Sequence, residues 1–472
     1  MAWKQCKRAF FGIILLGSTL ISVLFPLASS AANTGREVDL YRTKVAISPQ
    51  LGMAFPGKNP KFYTLLSEAG MGVVRLSVPW LYIEPEDGNY QWDSLDDRIN
   101  ALQRLQIEPF LTFESNSPWA TDRKTWKVGN ATPNNMKQWR RFVSAVAERY
   151  DADGFDDMPG IVRPVWYFQV ANEWISPKNR SGGWAGTTKE LITYINTAYN
   201  AVKAHAPESI FVLGGVASFN LDVMLLSEGL ETFLVQQRWS ETTKTTISVR
   251  DAQGSQIRSV LENHVRPVFR GAKYDMADAH LYGPEDRDAA RLQEVSSKGR
   301  SVPVLSSECG GPSLDYKDDY QPKDHFYAVV ERNLNVLAQG AAFCLWFGLG
   351  EEMETSWGNR KVPLYDLDRK PKPGYFGYKY LAVLFNGAVK VDQVDSSDQI
   401  YRVTHAGIGE DVYVSFEASQ ADLVKKAGGY PQDVVCISDP VNGKGRFWQS
   451  VSKPVSCEDG LIAVSRALPA LR

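Results

Sequence analysis

Two glutamates, Glu173 and Glu308, stand 135 positions apart, each at the end of an apolar run, the first starting at Val165 and the second at Val302. Two carboxylates can divide labour when their surroundings pull their pKa values apart. The one kept ionised attacks or stabilises a positive centre, and the one kept protonated donates. Each run has the length and the β-branched or aromatic content of a strand buried on both faces, and each stops at its carboxylate before loop residues. A (β/α)8 barrel places its reacting groups at such strand ends.

The elements needed to hold that pair are legible along the chain. Eight strand-like runs occur: 44–52, 72–78, 107–113, 165–171, 210–215, 276–281, 302–307 and 342–347. Helical segments with apolar residues recurring at three and four, such as 135–150 and 190–205, lie between them, the order of a parallel sheet wrapped by helices. The stretch 217–274 is long for one connection and is expected to carry extra helices. After a last helix over 375–385 the pattern changes to short alternating runs. The fold expected is therefore α/β, a (β/α)8 TIM barrel with a small C-terminal antiparallel β module. The ranges are 40–386 for the barrel and 387–472 for a sandwich-like module.

With these residues on the page, the chain resembles the retaining glycoside hydrolases of the (β/α)8-barrel clan A, family 39 and family 5 most. The matching pieces are Arg75 on the second strand, Asn172 with Glu173 after the fourth, His280 and Tyr282 on the sixth, Glu308 on the seventh and Trp346 on the eighth. The resemblance implies a double displacement in which Glu308 is the nucleophile and Glu173 the acid and then the base. Arg75 and Tyr282 would hold Glu308 ionised, Asn172 would bind the sugar 2-hydroxyl, and His280 would contact substrate. Glu173, with less positive charge nearby, is expected to keep a raised pKa. Retention requires carboxyl groups about 5 to 5.5 Å apart, inversion about 6.5 to 9.5 Å. Glu114, at the end of the third run, is a rival carboxylate. Aromatic residues just past the strand ends are Trp80, Trp119, Trp174, Trp184, Trp346 and Trp357. Of these, Trp119, Trp174 and Trp346 are expected to stack on sugar rings.

Composition bounds the rest. Lys4, Lys7 and Arg8, an apolar core from Phe10 to Leu27 and small residues up to Ala32 give residues 1–32 the order of a cleaved export signal, with a membrane anchor as the alternative. The protein is then secreted or periplasmic and free of the membrane once cleaved. With 52 basic and 54 acidic side chains the net charge is -2, which gathers neither nucleic acid nor anionic lipid. A neutral carbohydrate is the expected partner of a monomer. Five scattered histidines and the absence of phosphate-loop, dinucleotide, esterase and zinc-hydrolase motifs give no cofactor and no metal. Cys436 and Cys457 would close a small loop as a disulfide. Cys309 and Cys344 would sit on neighbouring strands, where buried free thiols are the reading adopted and a bridge the alternative. The competing functional class is a carbohydrate-binding or cell-surface barrel without turnover.

Overall fold

The computed structural model describes residues 35–180, 182–238, 242–311, 321–350, 363–366, 368–397, 399–406, 411–430, 432–455, 457 and 460–465. The leader 1–32 and Trp357 lie outside them. Eight parallel strands close into a barrel: Ser48–Met53, Met71–Pro79, Glu108–Glu114, Tyr167–Val170, Ile210–Val216, Met276–Ala279, Val304–Cys309 and Cys344–Trp346. All eight expected runs become strands, in order. The helices that cover them start where local chemistry allows. Thr187 and Glu190 form a reciprocal cap on Thr188–His205, and the Asn135 side chain caps Met136–Arg149. The long connection after the fifth strand carries the extra helices, including Ser218–Ser227 and Arg266–Gly271, and a hairpin of Val235–Arg238 with Lys244–Ile247. Among the described residues, no helix is long and apolar enough to cross a membrane.

The barrel interior is layered. Val73, Phe110, Val212, Met276, Leu305 and Phe343 form one buried apolar cluster, with Tyr167 packed against it. Side chains two positions apart on a strand share a face, so the next layer toward the strand C-termini is Arg75, Thr112, Gln169, Asp278 and Ser307. That layer is polar, and the mouth lies above it. The apolar layer is thus the floor that keeps water from the polar one.

The C-terminal strands form one sheet in the order 36–39, 444–451, 432–439, 461–465, 411–415, 400–405, 388–395, antiparallel throughout. Its outer member, Arg36–Asp39, comes from before the barrel. A short helix, Gln420–Lys426, packs on it. Cys436 and Cys457 are bridged, with Cα atoms 5.9 Å apart. Cys309 and Cys344 are bridged as well, at 6.4 Å, which corrects the free-thiol reading. The seventh and eighth strands pair with Ser306 opposite Cys344 and Cys309 opposite Trp346, and this shifted register brings the two sulfurs together.

Candidate active site

Glu173 and Glu308 meet at the mouth. Glu173 follows the fourth strand, where Ala171 and Glu173 both adopt positive φ, 68° and 46°. The backbone is held in that form: the Glu173 N–H donates to Gly215 O at 3.0 Å, and the buried Asn130 amide donates to Asn172 O at 2.8 Å. Non-glycine residues in that region cost free energy and persist where the surroundings fix them. Glu308 lies where the pairing of the seventh and eighth strands shifts, between Ser306 and Cys309, a bulge-type irregularity of the kind that re-aims a side chain. A carboxylate oxygen of Glu173, one of Glu308 and a ring nitrogen of His280 all lie within 4.8 Å of one another. The two side chains keep 16% and 12% of their surface, enough to be reached from the mouth.

Each glutamate has its own partners. Arg75 Nη1 donates to Glu308 Oε2 at 3.0 Å, and Tyr282 Oη donates to Glu308 Oε1 at 2.8 Å. Burial, then the charge of Glu308, pushes the Tyr282 hydroxyl well above its ordinary range, so it stays protonated and donating. Arg75 Nη2 donates to Asn172 Oδ1 at 2.7 Å. Because a guanidinium only donates, this fixes which way the Asn172 amide faces. Glu173 Oε1 faces His280 Nδ1 at 2.9 Å, and the Asn179 amide donates to Glu173 Oε2.

The expectation of a raised pKa for Glu173 is corrected here. Burial alone would raise it, but the hydrogen bond and charge of His280, followed by Asn179 and the charge of Arg75, bring it below its ordinary value. His280 is fully buried and would lose its proton on that account. The charge of Glu308 and the hydrogen bonds of Asp278 and Glu173 reverse this and push it up to about 10. Asp278 is held below its ordinary value: burial opposes this, and His280 and Ser307 outweigh burial.

Beneath the pair lies a network that the motifs did not single out. Arg75 Nε donates to Thr112 Oγ1 at 2.9 Å and to Gln169 Oε1 at 3.0 Å. Gln169 Nε2 donates to Asp278 Oδ2 at 2.6 Å and Ser307 Oγ at 3.2 Å, and Ser307 donates to both Asp278 oxygens, at 2.8 Å from its N–H and 2.5 Å from its hydroxyl. The one signal for it in the sequence is polar residues recurring at inward positions of otherwise apolar strands.

The aromatic expectations fare less well. Trp174 is fully buried, donates its ring N–H to Gly214 O and packs on His264 and Phe269. It is core, as are Trp80 and Trp184. Trp346 is fully buried against His325, so it presents no open face. The aromatic that meets Tyr282 is Phe347, just past the eighth strand, edge-on at 6.3 Å. Trp119 is half-buried, with its N–H on Glu84 O and Arg141 over one face at 5.9 Å. Glu114 ends the third strand, outside the cluster of Glu173, His280 and Glu308. Those three offer ligand atoms of the kind that bind metals, but the oxygens of both glutamates are already committed to Arg75, Tyr282, His280 and Asn179.

No family model matches the chain, and no curated protein matches it in sequence. Solved structures match it in fold. A glucosidase from Croceicoccus marinus gives a TM-score of 0.57 at 11% identity, covering 92% of this chain and 99% of that one. A family 39 β-xylosidase from Caulobacter crescentus gives 0.55 at 14% identity, over 91% and 98%. A family 30 subfamily 8 xylanase from Clostridium acetobutylicum gives 0.51 at 11% identity, over 90% and 97%. At these identities the likeness is one of architecture, and it extends over the greater part of the chain.

Proposed function

We propose that this chain is a retaining β-glycoside hydrolase, a β-glycosidase or endo-glycanase that cleaves a neutral polysaccharide or oligosaccharide outside the cytoplasm. The observation that carries the reading is the approach of two strand-end carboxylates to within 4.8 Å. So close an approach of one oxygen from each carboxylate favours direct attack on the anomeric carbon over attack through an intervening water, which needs the carboxyl groups farther apart. The glucosidase and xylosidase activities named for the structures of like fold support the same class.

Glu308 is the nucleophile. Arg75 and Tyr282 take its oxygens and aim the carboxylate, and Arg75 at the same time turns Asn172 so that its amide nitrogen is on the sugar side for the 2-hydroxyl. The two contacts come from one rigid guanidinium, so nucleophile and 2-hydroxyl donor are placed together. Glu173 is the acid and then the base. Its partners hold its carboxyl below the ordinary range, which favours the ionised form needed to take a proton from water in the second half-reaction, and it must gain a proton for the first.

The test is a pair of variants on a panel of aryl β-glycosides and polysaccharides. Glu308→Ala should abolish turnover of every substrate. Glu173→Ala should spare aryl glycosides whose leaving groups need no proton, and azide should restore its second step and give a β-glycosyl azide. Wild-type rates in Glu308→Ala, or an α-anomer as the first product seen by proton NMR, would sink the mechanism. A wild-type chain that binds sugars and cleaves none would favour the non-catalytic barrel.

A further inference from the structure

His280 is surrounded by carboxylates. Glu173 Oε1 lies 2.9 Å from Nδ1, Glu308 Oε2 3.6 Å from Nδ1 and Asp278 Oδ2 3.6 Å from Nε2. The ring has no exposed surface, and Asp278 is 1% exposed. Among the described residues the other charged group at the cluster is Arg75, which is paired with Glu308; Tyr282 adds a neutral hydroxyl, and Ser307 Oγ stands 3.4 Å from Nε2 with its own proton given to Asp278. A neutral imidazole has one N–H and one acceptor nitrogen, so with a carboxylate facing each nitrogen it would turn a lone pair toward one of them. Only the doubly protonated ring turns an N–H toward carboxylate charge on both sides, within hydrogen-bond reach of Glu173 at 2.9 Å and as an ion pair with Asp278 at 3.6 Å. Asp278 is itself fixed by Ser307 N–H and Oγ–H and by the Gln169 amide. Those donors hold it as an anion that cannot turn away.

We propose that Asp278 is a positioning residue for a proton: it keeps His280 doubly protonated, with Nδ1–H aimed at Glu173, so that the imidazolium stores the proton that Glu173 delivers to the leaving group. The proposal rests on the hydrolase reading and says how an ionised Glu173 becomes an acid. In the first half-reaction the Nδ1–H bond breaks and a bond to Glu173 Oε1 forms. The proton then passes to the glycosidic oxygen, which keeps the electron pair of the broken C–O bond while Glu308 bonds to the anomeric carbon. In the second, the water oxygen attacks that carbon, Glu308 leaves with its electron pair, and the proton lost by water goes to Glu173 and back to Nδ1. The upward shift of His280 and the downward shift of Glu173 have the signs this storage requires.

The experiment is nitrogen-15 NMR of the full chain labelled at its histidine rings. The His280 signal is assigned by its loss in His280→Asn. In wild type at pH 8 it should show both nitrogens protonated. In Asp278→Asn its midpoint should fall by roughly 1 to 3 pH units, the span that an opposite charge within a few ångströms is worth. The alkaline limb of kcat/KM for alkyl glycosides should move down with it, while neutral-pH rates on aryl glycosides with acidic leaving groups hold. Asp278→Ser serves if Asp278→Asn does not fold, and if neither folds the wild-type midpoint decides, a value below pH 8 overturning the proposal. A neutral His280 at pH 8 in wild type, or an unshifted midpoint and limb in the variant, overturns it too. A protonated His280 in a chain that cleaves no glycoside sinks the hydrolase reading and leaves the proton placement standing.

Discussion

Gly215 has no side chain because His280 occupies that space. A Cβ at Gly215 would stand 2.1 Å from His280 Cδ2, 2.2 Å from its Nε2 and 2.8 Å from Asp278 Oδ2. Ordinary carbon contacts begin near 3.5 Å, so in Gly215→Ala the ring and strand must part by about 1.4 Å. A ring displaced that far carries Nδ1 out of reach of Glu173, from which it now stands at 2.9 Å. Crowding of a packed interior costs about 1 to 3 kcal/mol. A lost hydrogen bond to a charged group costs about 1.5 to 3 kcal/mol more. The two are not strictly additive, and a destabilisation of roughly 3 to 5 kcal/mol is expected, a large part of a typical folding free energy. Thermal melting followed by circular dichroism should show it directly. Turnover should fall about 100-fold, the loss expected for a misplacement on the order of 1 Å in a reacting constellation, and it should fall less on substrates whose leaving groups need no proton. A Gly215→Ala protein that melts and turns over like wild type would mean that His280 does not sit against the fifth strand, and the reasoning from Glu173 to Asp278 would fall with it.

Tyr282→Phe removes a hydrogen bond to the Glu308 carboxyl group, and kcat/KM should drop roughly 10- to 100-fold with little change in melting temperature. The folded-state pKa of His280, about 10, lies above its ordinary 6.5, so the folded state holds that proton more tightly than the unfolded chain does. The associated stability is complete below about pH 6.5 and is lost as pH rises through about 10; melting temperatures across that window should therefore fall with pH in wild type, and fall less in His280→Asn. The Cys436–Cys457 bridge spans 21 positions, worth about 3 kcal/mol in the loop-entropy model. Cys436→Ser should melt lower without reductant, and adding Cys309→Ser should abolish the remaining response to reductant.

The barrel is legible because a strand buried on both faces must be a continuous apolar run, and eight such runs appear in order. The two glutamates are legible because each breaks such a run at its end. What supports them is hidden for a physical reason. Thr112, Gln169, Asp278 and Ser307 look like ordinary polar interruptions until the barrel closes and sets which strand faces which. The same closure pairs Cys309 with Cys344, a matter of register that spacing does not carry. Asn179 reaches Glu173 from a loop whose path no periodicity encodes, and with His280 it reverses the expected direction of the Glu173 shift. Trp174 follows the fourth strand and Trp346 closes the eighth, but whether an aromatic at a strand end faces the mouth or the shell depends on side-chain direction. In both cases the residue turns inward.

The strand Arg36–Asp39 pairs with Lys444–Val451, Arg36 opposite Phe447, a separation of 411 positions. On a ribosome that segment is among the first of the described residues to emerge, yet its ladder partner among the described residues is made some 400 positions later. Until then the segment has unpaired N–H and C=O groups, and on its own it is too short and too charged to order itself or to recruit a neighbouring chain. Docking it is a contact of very high sequence separation, the kind that forms late and slows folding. The barrel can close beforehand, since its strands pair in chain order around the ring. Trimming a nascent or mature chain after residue 443 would therefore release the beginning of the described chain as well as its end. A protease cut there should leave a folded barrel with a loosened N-terminal segment, a signature that hydrogen exchange can read at both ends of the chain at once.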